Sequence, residues 1–165
     1  MTAHRDGRRE TFRRTLKEKK QLDLKDHPSR KRKGDIMTIA KSPVVTMAPT
    51  TPIYEAIQVM VKAGFRRMPI VQNEKLIGIV TVMDILRFFG SGHVFNHLQS
   101  RTITQILQTK ILDIAVRDIV AVGPEVEVGQ AAKLMRDRKV GALPVVQKER
   151  LVDIITERDF FKLIA

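Results

Sequence analysis

Two Thr-x-x-Asp motifs supply the residues of this sequence best suited to bind a ligand. One contains Thr81 and Asp84 and the other Thr156 and Asp159, and each follows an apolar run and precedes a helical pattern. The threonine therefore stands where a strand turns into a helix, where unpaired backbone N–H groups and the helix dipole favour a phosphate. The same spacing is typical of a capping box, which contributes about 1 kcal/mol to folding. From the residues alone, both interpretations are equally good.

Catalytic and metal-binding chemistry has little support in the composition. The chain has no Cys, which excludes disulfides, thiolate metal sites and cysteine nucleophiles. His93 and His97 have the i, i+4 spacing that would place two imidazoles on one face of a helix. No acidic residue accompanies them in residues 91–98, so polar linker residues are the simpler interpretation. We therefore predict no enzyme activity, no catalytic residue, no metal site and no catalytic cofactor.

Positive charge is concentrated at the N-terminus. The net charge is +12 over 165 residues, and residues 1–35 hold 13 Lys and Arg against 6 Asp and Glu. This segment has few apolar side chains, so it cannot bury enough surface to offset the entropy of ordering. We predict a basic, flexible tail over residues 1–35, with a short helix around residues 8–20. Because no long apolar run is present, we expect a soluble, cytoplasmic protein.

The rest of the chain contains an internal duplication. Residues 45–84 align with residues 120–159 at a constant shift of 75 without a gap, and 12 of the 40 positions are identical. A period this long indicates a duplicated domain rather than a solenoid repeat. The identical residues of the first copy are Val45, Pro49, Ala56, Met60, Pro69, Val71, Gln72, Glu74, Leu76, Ile79, Thr81 and Asp84.

Each copy shows the same order of patterns. A short β-branched run stopped by a proline predicts a strand, at Val44–Met47 or Ile119–Val122. Apolar residues at helical spacing then predict a helix that ends near Gly64 or Lys139. A hairpin and a second helix follow, which gives a β-α-β-β-α unit and a mixed α/β fold of the α+β type. The predicted core faces of the helices are Ile53, Ala56, Ile57, Met60, Val61, Val82, Ile85, Leu86, Phe89, Val128, Ala131, Ala132, Met135, Phe160, Phe161 and Ile164.

The repeat predicts the domain organisation. A unit of about 50 residues is too small to bury much surface alone, so two units must pack together. We predict a first domain over residues 36–89, a linker over residues 90–112 and a second domain over residues 113–165. Within the linker, Ile103, Ile106 and Leu107 indicate a short helix.

These motifs resemble the cystathionine-β-synthase (CBS) domain family in its tandem arrangement, the Bateman module. The resemblance covers residues 36–164 and rests on the strings VTMAP, RMPIV and GIVTVMD of the first copy, with counterparts in the second. The basic tail and the linker insertion are similar to archaeal stand-alone CBS proteins, which often carry further CBS pairs. The resemblance implies two CBS units related by pseudo-twofold symmetry, and CBS pairs commonly assemble as homodimers.

The resemblance also implies a ligand. CBS pairs can hold AMP, ATP or S-adenosylmethionine in the cleft between their two domains and act as energy or metabolite sensors that regulate another protein. In the family, the threonine contacts hydroxyl or phosphate oxygens and the aspartate holds the ribose diol. Backbone groups at six further positions would frame the base, and three arginines are candidates for phosphate contacts. The base positions are Thr46, Met68, Ile79, Ala121, Leu143 and Ile154, and the arginines are Arg66, Arg67 and Arg158.

One position departs from the family pattern. The family's glycine, kept as Gly78, is replaced by Asp153 in the second copy. A carboxylate facing the cleft would repel a phosphate and crowd the base. We therefore expect the second site to be empty or to take a less anionic ligand. Arg66 and Arg67 likewise correspond to a Gly-Ala pair in the second copy.

Two alternatives to a ligand sensor stay open. The Lys and Arg residues between positions 5 and 33 could neutralise nucleic-acid phosphates, which would give salt-sensitive affinity without sequence preference. Phe12 is the only aromatic residue of the tail, so base stacking is not supported. Alternatively, the chain is a dimeric interaction scaffold without a ligand. Candidate dimer contacts, which could equally fill the core, are Met60, Val61, Phe88 and Phe89.

Overall fold

The described residues of the computed structural model are 34–40, 44–91 and 103–163, and they form two compact units. The first unit comprises residues 45–72, 77–91 and 103–118, and the second comprises residues 34–40, 44, 73–76 and 119–163. Tail residues 1–33, His93, His97 and Ile164 lie outside the described residues. Within the described ranges, no helix combines the length and the hydropathy needed to cross a membrane.

The first unit contains most of the first repeat and the segment that follows it. Its elements are helix α1 (Ile53–Ala63), strands β1 (Arg67–Gln72) and β2 (Lys75–Thr81), helices α2 (Val82–Gly90) and α3 (Ile103–Leu107), and a 3-10 turn (Ile111–Asp113). The first two residues of β2 belong to the second unit. Strands β1 and β2 are neighbours in the sheet. Helix α3 is the short helix that the sequence predicted between the repeats.

The second unit contains the same sequence of a helix, a hairpin and a helix. It contains a 3-10 turn (Ile36–Thr38), helix α4 (Val128–Arg138), strands β3 (Ala142–Gln147) and β4 (Arg150–Thr156), and helix α5 (Glu157–Phe161). Strands β3 and β4 pair antiparallel, from Ala142 opposite Thr156 to Gln147 opposite Arg150. Helices combined with antiparallel hairpins confirm the predicted α+β fold class.

Both hairpins turn through two residues in left-handed backbone conformation. Asn73 and Glu74 have φ values of 50° and 66°, and Lys148 and Glu149 have values of 48° and 66°. Positive φ at both central residues is typical of the type I′ turn, whose twist matches that of the flanking strands. The polar turns predicted between the strands are therefore present in both copies.

The first strand predicted in each copy is wrong in extent. The structure contains a single parallel bridge in its place, Met47 with Ile70 in the first unit and Val122 with Val145 in the second. The Met47 N–H donates to the Pro69 carbonyl oxygen at 2.9 Å. The Val71 N–H donates back to the Met47 carbonyl oxygen at 2.9 Å. Pro69 itself has no N–H, so the pairing cannot extend past it towards the N-terminus as a regular ladder.

The predicted core faces of the helices were too wide. Val61 is 75% exposed and Phe161 is 68% exposed, and Val82 and Leu86 are also exposed. Ile53, Ala56, Met60 and Ile85 are buried as predicted. Since successive helical residues are turned by about 100°, Val61 leaves the stripe to which its neighbour Met60 belongs. Met60 therefore fills the core rather than a dimer surface.

Each unit has its own hydrophobic core. The first core consists of Met47, Ile53, Ala56, Met60, Met68, Ile70, Val80, Ile85 and Ile111. The second consists of Ile36, Met37, Ile39, Val122, Ala131, Met135, Leu143, Val145 and Ile155. Ile111 comes from just before the second repeat, whereas Ile36 comes from just before the first. Each core is therefore completed by the segment that precedes the other repeat.

Backbone hydrogen bonds show the same exchange of segments. Equivalent pairs of bonds, related by the shift of 75, hold each segment to the start of α1 or α4. The bonds are Ile111 N–H to Thr51 O at 2.7 Å, Ile53 N–H to Thr109 O at 2.9 Å, Ile36 N–H to Val126 O at 2.8 Å and Val128 N–H to Gly34 O at 2.9 Å. Residues 36–40 and 44, which the sequence placed with the first domain, thus lie in the second unit.

Candidate functional site

The first Thr-x-x-Asp motif lies at the junction of β2 and α2. Thr81 is the N-cap of α2, and its hydroxyl accepts a hydrogen bond from the Asp84 N–H at 3.2 Å. The same hydroxyl donates to Asp84 Oδ2 at 2.6 Å, and the Thr81 N–H donates to that oxygen at 2.8 Å. These bonds form a capping box, so the structural interpretation of the motif is confirmed.

The other oxygen of Asp84 contacts an exposed cation. Arg87 Nη1 lies 3.1 Å from Asp84 Oδ1, with the Arg87 side chain 73% exposed and the Asp84 side chain 7% exposed. Asp84 is thus a buried carboxylate that is held through Oδ2 by the cap and through Oδ1 by a side chain in contact with solvent. Each carboxylate oxygen has about two acceptor positions, so Oδ1 has the capacity to accept a further hydrogen bond.

The second motif repeats this geometry at the junction of β4 and α5. The Thr156 N–H and hydroxyl donate to Asp159 Oδ2 at 2.9 Å and 2.7 Å. Lys162 Nζ lies 3.9 Å from Asp159 Oδ1, and the Asp159 side chain is 11% exposed. Lys162 corresponds to Arg87 at the shift of 75. Both motifs therefore place one carboxylate oxygen beside a long basic side chain.

Arg87 and Lys162 were not predicted from the sequence. Each lies three residues after the motif aspartate, and side chains three residues apart on a helix are neighbours. That spacing was the signal available in the sequence. In the described part of the chain, no group of three or more His, Asp or Glu side chains is placed to hold a metal ion.

The residues predicted to frame an adenine base lie in different environments. The Met68 and Leu143 side chains are buried in the two cores, so only their backbone could meet a ligand. The Ile79 N–H donates to Val116 O and the Val116 N–H donates to Ile79 O, both at 2.9 Å. The Ile79 N–H is therefore already used within the first unit. Thr46 and Ile154 are half-buried and Ala121 is exposed. All six roles stay predictions.

The backbone brings the three predicted phosphate-binding arginines to the two junctions, Arg66 and Arg67 from the start of β1 and Arg158 from α5. Arg66 is exposed, and its carbonyl oxygen accepts the N–H of Val82, the first residue of α2, at 2.9 Å. Arg67 is half-buried and begins β1, whereas Arg158 is the exposed second residue of α5. Their contacts with a phosphate stay predictions.

Asp153 lies on the buried face of β4. Its side chain is 1% exposed and shares the buried face of β4 with Leu151 and Ile155, whereas Thr156 belongs to the other face. Asp153 Oδ1 accepts the N–H of Ile154 at 2.7 Å. Asp153 and Thr156 therefore lie on opposite faces of β4, because successive strand residues point to opposite faces. That the Asp153 carboxylate faces the cleft stays a prediction.

Comparison with known proteins identifies the family. The CBS domain model matches residues 34–91 and 111–165. Uncharacterized protein MJ1225 from Methanocaldococcus jannaschii is 33% identical over 123 residues, which cover 74% of this chain and 44% of that protein. The crystal structure of MJ1225, described as a proposed archaeal homologue of g-AMPK, has a TM-score of 0.76 and 28% identity, and covers 96% of this chain and 53% of that chain.

Two further comparisons add an enzyme and a ligand complex. Inosine-5′-monophosphate dehydrogenase of the same archaeon is 34% identical over 121 residues, 72% of this chain and 21% of the enzyme. The CBS domain pair of protein MJ0100, in complex with 5′-methylthioadenosine and S-adenosyl-L-methionine, has a TM-score of 0.65 and 25% identity, and covers 79% of this chain and 99% of that chain. The aligned sequence spans about 44% of MJ1225 and about 21% of the dehydrogenase.

The predicted similarity to archaeal CBS proteins is confirmed by the MJ1225 matches. The two regions that match the CBS domain cover more than half of the chain, and they coincide with the two repeats found in the sequence. The chain therefore belongs to the CBS domain family and carries the domain twice, as a tandem pair.

Proposed function

We propose that this CBS pair is a regulatory module that binds an adenosine-containing ligand at the strand-to-helix junctions marked by Thr81 and Thr156. The observation that carries the proposal is the buried Asp84 carboxylate, whose Oδ2 is fixed by the cap while Oδ1 contacts the exposed Arg87. A carboxylate fixed in this way is suited to accept hydrogen bonds from the two hydroxyls of a ribose.

The cap and the ligand contact can coexist because they use different oxygens. Asp84 Oδ2 accepts from the Thr81 N–H and hydroxyl, which fills its acceptor positions. Oδ1 would accept both ribose hydroxyls once Arg87 swings away, and breaking an ion pair whose cation is largely in solvent costs about 1 kcal/mol. The diol would therefore meet one carboxylate oxygen rather than both.

The likeness to MJ0100 supports adenosine as the common part of the ligand. That CBS pair was crystallised with 5′-methylthioadenosine and S-adenosyl-L-methionine, which share the adenosine group. AMP and ATP, the other ligands that the sequence suggested, contain the same adenine and ribose. The ribose contact proposed for Asp84 is common to all four compounds, so the junction alone does not select among them.

The proposed role is regulation rather than catalysis. The region shared with inosine-5′-monophosphate dehydrogenase makes up 21% of that enzyme. We propose that ligand occupancy acts as an energy or metabolite signal. Ligand binding would raise the population of one conformation, and a partner protein would bind that conformation preferentially. The homodimer, the nucleic-acid contact through residues 5–33 and the cytoplasmic location stay predictions from the sequence.

Calorimetric titration of the full chain with AMP, ATP, S-adenosylmethionine and 5′-methylthioadenosine tests the proposal. We expect saturable binding of at least one compound, weakened about tenfold or more by Asp84→Asn or Asp159→Asn, because the amide nitrogen cannot accept a hydroxyl hydrogen bond. Arg136→Ala, on the exposed side of α4, is the matched control and should bind like the wild type. No heat and no thermal shift with any of the four compounds would contradict the proposal.

A further inference from the structure

The two junctions differ at the residues beside the threonine. In the second unit, Ala142 lies directly opposite Thr156 in the β3–β4 pairing. Gly141 precedes it, and its carbonyl oxygen accepts the N–H of the first residue of α5 at 3.3 Å. At the shift of 75, the corresponding residues of the first unit are Arg67 and Arg66. Two arginines thus stand where the second junction has no charged side chain.

Backbone contacts confirm that these positions are equivalent. The Arg66 carbonyl oxygen accepts the N–H of Val82 at 2.9 Å, as the Gly141 carbonyl accepts that of Glu157. The first helical residue is therefore apolar at one junction and acidic at the other. Arg66 and Glu157 are both exposed, so both can meet a ligand from solvent.

The charge around the two junctions is consequently different. At the first junction three basic side chains accompany one carboxylate, whereas at the second two basic side chains accompany two carboxylates. The first set is Arg66, Arg67, Arg87 and Asp84, and the second set is Arg158, Lys162, Glu157 and Asp159. Counted over these four residues each, the first set carries a net positive charge and the second set none.

We propose that the two junctions select adenosine ligands by charge, so that the Thr81 junction takes a phosphorylated adenosine and the Thr156 junction takes one without a phosphate. This inference rests on the proposed function and assigns a ligand class to each half. Arginine matches a phosphate with two parallel hydrogen bonds and keeps its charge at all physiological pH values. A glutamate at the corresponding junction repels the same group. One chain would therefore bind two kinds of adenosine compound, one at each junction.

The test compares AMP with 5′-methylthioadenosine in calorimetric titrations of the full chain. The double substitution Arg66→Ala with Arg67→Ala should weaken AMP binding about tenfold or more and leave 5′-methylthioadenosine binding within about twofold. Asp84→Asn should weaken AMP more than Asp159→Asn does, and the order should reverse for 5′-methylthioadenosine. Raising the salt concentration should weaken AMP binding alone, because only that ligand is held by charge.

Two controls separate charge from folding. Arg136→Ala with Arg138→Ala removes the same net charge from exposed positions of α4 and should leave AMP binding unchanged. Arg66→Lys with Arg67→Lys should retain most of the AMP affinity, since the positive charge is kept. Thermal unfolding of each variant shows whether the chain is folded, and 5′-methylthioadenosine binding reports on the second junction of the same sample.

The outcomes distinguish this inference from the function on which it rests. If adenosine ligands bind but the Arg66→Ala, Arg67→Ala variant has the same AMP affinity as the wild type, selection by charge is wrong and the proposed function stands. Equal losses of both ligands in the Asp84→Asn and Asp159→Asn variants would have the same meaning. If neither compound binds the wild type, the selection and the proposed function both fail.

Discussion

At the scale of single residues, Asp84 has two partners that should differ in their contribution to stability. Its bonds with Thr81 are partly buried and satisfy backbone and hydroxyl donors at the start of α2. Its contact with Arg87 involves a side chain that is largely in solvent. Shielded capping bonds stabilise a fold more than exposed ion pairs, which are screened and cost side-chain entropy.

Substitution of Asp84 by Ala should lower the free energy of unfolding by about 1–2 kcal/mol, because the α2 cap is lost. Substitution of Arg87 by Ala should lower it by no more than about 1 kcal/mol. Urea unfolding of the two variants beside the wild type measures both changes. Equal losses of unfolding free energy in the two variants would contradict the view that the cap stabilises the fold more than the contact with Arg87 does.

Glu149 offers a test of electrostatics away from the motifs. The hydrogen bond and charge of Lys75, whose Nζ lies 2.5 Å from the carboxylate, lower the pKa of Glu149 from its ordinary value of 4.5. A lowered folded-state pKa contributes stability above the unfolded pKa, and this contribution is lost as the pH falls through the folded pKa. Both side chains are exposed, so screening keeps the effect small.

Lys75→Met should therefore reduce the loss of thermal stability between about pH 7 and about pH 3, because Glu149 then titrates near its ordinary pKa in both states. Thermal unfolding at low salt measures the change, and high salt should diminish it. An unaltered pH dependence in the variant would show that the ion pair contributes nothing.

Residue types and spacing located the Thr-x-x-Asp motifs but not their whole surroundings. The capping box was predictable because Thr81 and Asp84 have the N-cap to N3 spacing. The burial of Asp153 was predictable, because it alternates with Leu151 and Ile155 on one face of β4. The pairing of Ile79 with Val116 was not predictable, since it joins residues far apart in sequence.

At the scale of elements, the two equivalent helices end differently. The C-cap of α1 is Gly64 with φ 71°, whereas the C-cap of α4 is Lys139 with φ 53°. A side chain with a Cβ pays a steric cost of roughly 1 kcal/mol in this left-handed region, and glycine does not. Glycine at the C-cap of α1 therefore indicates which residue type would be less strained at the C-cap of α4.

Lys139→Gly should raise the free energy of unfolding by about 0.5–1 kcal/mol, and Gly64→Ala should lower it by a similar amount or more. Chemical denaturation of the two variants gives the comparison. A destabilised Lys139→Gly variant would mean that the lysine side chain contributes more than its backbone strain costs.

Helix positions were predictable from periodicity, but the width of their buried faces was not. Apolar residues at Val61, Leu86 and Phe161 extended the predicted stripes, yet all three are exposed. An apolar type favours burial without requiring it, and apolar atoms cover much of any protein surface. The first strands failed for a different reason, because extended runs form strands only where the facing chain can pair.

At the scale of the whole molecule, each unit depends on a segment that is adjacent in sequence to the other repeat. Ile111 precedes the second repeat and lies in the first core, and Ile36 precedes the first repeat and lies in the second core. The internal repeat is visible in the sequence. The sequence does not show which core receives the segment that precedes each repeat. The CBS match begins at residue 34, near the predicted boundary at residue 36, whereas in the packing residues 34–40 belong to the second unit.

Ile111→Ala should lower the stability of the first unit by about 2–5 kcal/mol, because it leaves a cavity in a fully buried position. Hydrogen exchange measured by mass spectrometry should show lost protection in residues 45–72 and less change in residues 119–163. Ile36→Ala should give the opposite distribution. Loss of protection that follows sequence neighbourhood instead would contradict the exchange of segments.

The central claim, that adenosine ligands bind at the two junctions, is tested most directly by NMR of the full chain with ¹³C-labelled threonine methyl groups. Titration with the adenosine compound that binds most tightly should shift the methyl signal of Thr81 or Thr156 saturably and leave Thr104 of α3 unchanged. Saturable binding that moves neither motif threonine would contradict the account, because the ligand would then lie elsewhere.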